Sequence, residues 1–182
     1  MSSAKRTLRA VIQKWLAGAT QAPLLLRHCE VCGEKSWRPL AESLIQARGT
    51  LLLHCSEPVG HLYPGKGANT PDKVYRFAVA HPDLKIVAAH WGGGLPFYYL
   101  MPEMCAALPN LYFDSAATEY LYDRRVFGLV AGVAGEDRVI FGSDYPLLGQ
   151  KRAYDHAISA GLSAADPFFA ANANTVYQRA ST

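Results

Sequence analysis

The sequence of 182 residues predicts an α/β fold built on a parallel sheet. From Trp37 onward, short apolar runs of strand length alternate with stretches whose apolar residues recur at helical spacing. Four of the runs end on polar residues: His54, His90, Asp114 and Asp144. The gaps between those ends are 36, 24 and 30 residues, each long enough for the crossover helix that parallel neighbours require.

Each element has a local reason. Trp37, Leu40, Ala41, Leu44 and Ile45 make one helical stripe, and Gly49 is a natural stop. Residues 50–54, Thr-Leu-Leu-Leu-His, read as a strand buried on both faces. After a loop rich in Pro and Gly, Thr70-Pro71-Asp72 opens a helix that ends before His81-Pro82. Residues 84–89 form a strand, 91–96 a glycine-rich loop and 97–108 a helix. Residues 111–113 form the next strand, ending at Asp114, which is expected to cap the helix after it. That helix spans 120–133, with Asp123 able to cap its main part. Residues 138–142 make the fourth strand, ending at Ser143-Asp144, and 151–160 a helix. Ser163 and Asp166 look like a capping box for a last helical segment. The count is four parallel strands.

Residues 1–36 do not continue this pattern. They form a divergent basic segment: residues 1–48 hold eight Lys/Arg against three Glu, while the remainder holds ten against twelve Asp/Glu. Leu8, Val11, Ile12 and Trp15 sit at helical spacing, but no sheet partner is implied. The basic head lacks interleaved aromatics and any nucleic-acid-binding module, so it reads as a solvated leader and no nucleic-acid partner is expected. No window reaches the ~18 apolar residues of a membrane span, and the N-terminus lacks a signal-peptide pattern. Four cysteines do not make a disulfide framework in a chain this size, and Cys29-x-x-Cys32 has no second ligand pair at matching spacing. A reducing cytoplasm is the expected location.

In parallel α/β folds the chemistry sits at the C-terminal ends of the strands. His54, His90 and Asp144 occupy such ends, and imidazole and carboxylate are natural ligands for zinc or a similar divalent cation. Each alone has a plainer reading, as a framework histidine or a helix-capping aspartate; three at the same relative position argue for a site. A thiol enzyme using Cys55 beside His54 is disfavoured, because adjacent strand residues face opposite ways.

The segments Leu-Leu-His54-Cys-Ser-Glu57-Pro, Ile-Val-Ala-Ala-His90-Trp-Gly-Gly-Gly and Ile-Phe-Gly-Ser-Asp144-Tyr-Pro, with downstream Asn172-Ala-Asn174, resemble the amidohydrolase-related barrels. That branch of the amidohydrolase superfamily also contains aromatic-acid decarboxylases. The resemblance covers residue 37 to about 177 and implies a partial (β/α)8 TIM barrel comprising about the last four β/α units. It implies a divalent metal, zinc with manganese as the other choice, held by His54, His90 and Asp144. His90 and Asp144 would be the catalytic pair, with Asp144 as general base. His61, Tyr63, Lys66, Trp91 and Tyr145 would border the pocket for a small-molecule substrate. The implied activity is metal-dependent hydrolysis of a C–N or C–O bond, with non-oxidative decarboxylation of an aromatic acid as the alternative. A third reading is an inactive half-barrel.

The family's first-strand His-x-His or Glu-x-His is missing, since the residues two before each histidine are Leu26, Leu52, Val59, Val79, Ala88 and Tyr154. The expectation is therefore a truncated or frame-disrupted C-terminal half over residues 37–182. Residues 1–36 would lie outside the native family sequence and touch the sheet little. Metal binding would be weak and turnover low, and open apolar sheet edges near Thr50–His54 and Arg138–Gly142 would drive self-association.

Overall fold

Strand propensity comes from β-branched and leucine-rich runs that bury both faces, and the described residues hold five of them. The structure, a computed structural model, describes the backbone of residues 24–26 and 34–36 and all atoms of residues 37–177. Five parallel strands lie in chain order: β1 (Leu24–Leu26), β2 (Thr50–Leu53), β3 (Lys85–Ala88), β4 (Leu111–Asp114) and β5 (Val139–Ile140). Leu25 pairs with Leu52, Leu52 with Val87, Val87 with Tyr112, and Asp114 with Ile140.

The first strand corrects the count of four. Leu24–Leu26 lies in the segment expected to stay off the sheet, yet it pairs in register with Leu51–Leu53 and makes β2 an interior strand. The signal was three consecutive leucines after Pro23, too short a run to show a period. The helix suggested around Leu8–Trp15 and the Cys29/Cys32 pair lie outside the described residues.

Seven helices connect the strands among the described residues: α1 (Glu34–Gln46), α2 (Pro71–Ala80), α3 (Pro102–Ala107), α4 (Thr118–Leu121), α5 (Val126–Ala134), α6 (Gln150–Ser159) and α7 (Ala171–Tyr177). Two expected helices are shortened by identifiable residues. The one expected from residue 97 begins only at Pro102, because Met101 before that proline is held extended (φ −91°, ψ 115°). The one expected from residue 120 breaks at Tyr122, which is extended, and Asp123 takes the Arg125 N–H just before α5 at 2.9 Å. Asp166 reaches back to the Ser163 N–H at 2.5 Å, half of the expected capping box.

Strand alternation divides the sheet into two working faces. Leu51, Leu53, Ile86, Ala88, Leu111, Phe113 and Val139 point to the helices and form the main core with residues such as Leu44, Val74, Phe77 and Val130. Val87 and Ile140 point the other way and meet Val176 of α7. Helix α7 is tied across the start of the strands, where Val176 O accepts from Thr50 Oγ1 (2.8 Å) and Thr175 O from Lys85 Nζ (3.1 Å). Asn172 fixes it to β5 by donating to Glu136 O (2.7 Å) and Val139 O (2.8 Å). Helix α7 thus closes the bottom of the inner face, and the opposite end stays open. The edge at β5 is partly occupied as well, because Phe141 N donates to Phe168 O at 3.0 Å.

After β3 the chain runs through five successive residues of positive φ: His90, Trp91, Gly92, Gly93 and Gly94, at 56°, 56°, 59°, 62° and 98°. A side chain on Gly92 would meet the Phe113 ring at 2.8 Å, whereas one on Gly94 would meet nothing within 4 Å. Gly94→Ala should therefore lose roughly 1–2 kcal/mol from backbone conformation alone. Gly92→Ala should lose a further ~1–3 kcal/mol from overpacking. Urea unfolding of the two variants measures the difference, and equal losses would mean the Phe113 contact relaxes freely.

Cys55 follows the helix-side parity of Leu51 and Leu53 and is fully buried. Burial pushes its thiol well up, with the Glu57 charge adding to the effect. A native thiol that stays protonated while the unfolded one ionises near ~8.5 binds the proton more tightly in the folded state, so stability falls as pH rises past that point. The slope contributed by Cys55 should approach ~1.4 kcal/mol per pH unit between about pH 8.5 and 10. Chemical denaturation across that range should show the slope flattened in Cys55→Ala.

Candidate active site

At the open end of the strands lies a cavity of about 740 Å³. Leu52 of β2, His54 just past it and Asp114 of β4 reach it by strand parity, each two residues on from an inward-facing neighbour, and Gly142 and Asp144 beyond β5 line it as well. His90 has the wrong parity, because Ile86 and Ala88 face the helices. The left-handed step at His90 breaks the alternation and brings its ring into the cavity. His54, His90 and Asp144 thus line one pocket, as the strand-end spacing suggested.

The two imidazoles meet edge to face, with ring centroids 4.9 Å apart and His54 Nδ1 3.1 Å from His90 Nε2. His90 Nδ1 donates to the Ala116 carbonyl at 3.0 Å. His54 Nε2 lies 2.9 Å from Ser56 Oγ, which also accepts the Gly67 N–H at 2.8 Å. Both rings are buried. A Cβ on Gly67 would sit 3.1 Å from the His54 ring, so the loop backbone closes directly over that side chain.

Asp114 was expected to cap a helix. Instead its Oδ1 accepts the backbone N–H of His90 (2.9 Å) and of Ala116 (3.0 Å), and the residue lines the cavity. Burial pushes the Asp114 carboxyl up, and the charge of Asp144 adds to this, while His90 and the two N–H groups pull it down. Its sequence signal was present, as one of four polar strand ends, but capping was the commoner role for an aspartate there.

The other expected pocket residues divide. His61, Tyr63 and Tyr145 line the cavity. Lys66 does not: its ammonium donates to Val59 O (2.6 Å) and His61 O (3.1 Å) and so ties the loop to itself. Trp91 is also displaced, into the core. It is buried, stacks edge to face on Phe127 at 5.2 Å, and its indole N–H donates to Thr118 Oγ1 at 2.8 Å. The left-handed turn that brings His90 inward sends Trp91 to the helix side. Tyr120, Phe141 and Tyr177 complete an aromatic lining that spacing along the chain did not reveal.

The donor chemistry fits a cation in part. Two imidazole nitrogens bound at ~2.0–2.1 Å to one tetrahedral ion lie roughly 3.3 Å apart, close to the separation of the His54–His90 pair. Two carboxylates line the cavity, and no Lys or Arg is among its described lining residues, so its own charge favours a cation. Among the described residues, however, no three His, Cys, Asp or Glu side chains stand close enough together to hold a metal ion. The pair supplies two corners of a metal site without completing it.

Comparison with known proteins agrees with this fold. The family model described as amidohydrolase matches residues 6–178, beginning well inside the segment that the β/α pattern set apart. Among solved structures, the chain is similar to 5-carboxyvanillate decarboxylase from Sphingomonas paucimobilis, with TM-score 0.70 and 16% identity over 93% of this chain and 62% of that one. It is similar to an uncharacterized TIM-barrel protein from Bordetella bronchiseptica, with TM-score 0.71 and 17% identity over 94% and 62%. A third is dihydroxybenzoic acid decarboxylase from a Polaromonas species, solved with manganese and the inhibitor 2-nitroresorcinol, with TM-score 0.62 and 19% identity over 78% and 53%. The chain thus spans less than two thirds of the length of these relatives, and five parallel strands of an eight-stranded barrel are what the described residues contain. With nearly its whole length matched by the family model, this chain belongs to the amidohydrolase family as a partial TIM barrel.

Proposed function

We propose that the cavity serves metal-assisted, non-oxidative decarboxylation of a small hydroxylated aromatic acid. The observation that carries this reading is the composition of one pocket. His54, His90, Asp114 and Asp144 gather on its strand side, and Tyr63, Tyr120, Phe141, Tyr145 and Tyr177 line the rest. Flat aromatic walls suit a planar ring, and a small convergent polar group suits its acid end. The decarboxylase relatives, one of them solved with manganese, support the same reading.

His54 and His90 would supply two donors to a manganese or zinc ion, and the carboxylate of Asp144 borders the same cavity. When bound, that ion would polarise the acid or phenolic oxygens of the substrate. The rest falls to the chain's own residues. Tyrosine and phenylalanine rings fix the plane of the substrate and exclude water. Asp114 holds the His90 backbone and the Ala116 turn, and so keeps the imidazole pair in place. Asp144, on the same rim, would take up a proton from solvent and pass it to the ring carbon as the C–C bond breaks and carbon dioxide leaves.

Hydrolysis of a C–N or C–O bond is the second reading. It is favoured by Asp144 lining the same cavity as the histidine pair, where a carboxylate can take a proton from an attacking water.

Manganese binding, followed by calorimetry, should be lost in both His54→Ala and His90→Ala. With metal supplied, dihydroxybenzoates should release carbon dioxide, and Asp144→Asn should lower turnover by ~10²–10⁴-fold. Turnover of amide or ester substrates with none of the aromatic acids would select hydrolysis, and absence of metal binding would sink both readings.

A further inference from the structure

The histidine pair belongs to a chain of hydrogen bonds whose two ends have fixed roles. At one end the Ala116 carbonyl can only accept, so the His90 Nδ1 that touches it carries a hydrogen. With the ring neutral, His90 Nε2 is then an acceptor, and the His54 Nδ1 facing it at 3.1 Å must donate. His54 Nε2 is left as an acceptor, and its partner at 2.9 Å is the Ser56 hydroxyl, which must donate to it. At the other end the Gly67 N–H can only donate, and it does so to Ser56 Oγ, which leaves the hydroxyl hydrogen for His54. The direction derived from Ala116 and the direction derived from Gly67 agree at Ser56.

Ser56 is built to hold that role. It is fully buried, its backbone N–H is tied to Asn69 O at 2.9 Å, and its carbonyl lies where a side chain on Gly93 would come within 2.9 Å. His54 in this arrangement has a hydrogen on the nitrogen that faces His90, which is the nitrogen a shared cation would need.

We infer that Ser56 is a positioning residue: its hydroxyl holds the His54 ring hydrogen on Nδ1, and it must turn away before His54 can offer that nitrogen to a cation. The second half rests on the reading of His54 as a metal ligand; the first does not. In the turned state His54 carries its hydrogen on Nε2 and donates it to Ser56 Oγ, while the Ser56 hydrogen points away from the ring. The metal-free and metal-bound states then differ by a tautomer of one ring and a rotation of one hydroxyl, with no net change in protons.

The test uses the full chain labelled with nitrogen-15 histidine, treated with chelator and held at pH 8, above the usual imidazole range of ~6.5. Multiple-bond nitrogen–proton spectra report the tautomer of each ring, and His54→Gln and His90→Gln variants assign the signals. The expected result is hydrogen on Nδ1 of both His54 and His90. In Ser56→Ala the His54 Nε2 signal should move toward that of a nitrogen with no donor, and Ser56→Thr, which keeps the hydroxyl, should restore it. Added zinc should shift the His54 hydrogen to Nε2 in the parent. Hydrogen on His54 Nε2 in the zinc-free parent would overturn the proposal, as would an unmoved His54 Nε2 signal in a folded Ser56→Ala. If the parent binds no zinc, the metal reading fails alone, and the zinc-free spectra still decide whether Ser56 directs the ring.

Discussion

The left-handed turn from His90 to Gly94 is the constraint around which the open end of the sheet is organised. Two of its five residues carry side chains, and each costs roughly 1–2 kcal/mol in that conformation. Tertiary contacts offset this cost. Asp114 takes the His90 N–H, the Trp91 indole is buried with its N–H satisfied by Thr118, and the glycines let Phe113 and the Ser56 backbone come close. Because the turn breaks strand alternation, it is also what brings His90 opposite His54. One local backbone feature therefore decides core packing on one side of the sheet and site chemistry on the other.

The polar groups at this end form one connected set. Asp114, His90, Ala116, His54, Ser56 and Gly67 are linked by contacts of 2.8–3.1 Å, and His54, Ser56, His90 and Asp114 are buried. In a low-dielectric setting each such bond is strong, and an unmatched member would be costly. Backbone groups at the ends supply fixed directions, which no exchange of protons with solvent can reverse. A network of this kind holds side chains to a fraction of an ångström, the tolerance that metal and proton chemistry demands.

The bottom of the inner face is closed by α7, whose hold on the sheet runs through the backbone carbonyls of Thr175 and Val176 and the side chain of Asn172. Resemblance to the family's barrels included the pairing of Gly-Ser-Asp144-Tyr-Pro with Asn172-Ala-Asn174. The structure gives that pairing a physical content: Asn172 is the bolt between the last helix and the strand that leads to Asp144. Tyr177, at the end of the same helix, reaches the cavity that Asp144 borders from above.

The sequence by itself determined the parallel α/β layout and the polar strand ends. Apolar runs, capping residues and glycine stops act over a few residues, and their spacing alone requires crossover helices. His54, His90 and Asp144 were legible as cavity-lining positions, because each is a polar residue that ends an apolar run. Strand β1 was not, because three leucines have no period and gain meaning only beside β2. The roles of Asp114 and Ser56 were not legible, because their partners lie 24 and 11 residues away, at His90 N and Gly67 N. The displacement of Trp91 from pocket to core was likewise decided by tertiary structure. A run of positive φ is held by contacts with other strands, and nothing in the order His-Trp-Gly-Gly-Gly specifies which way the turn will face.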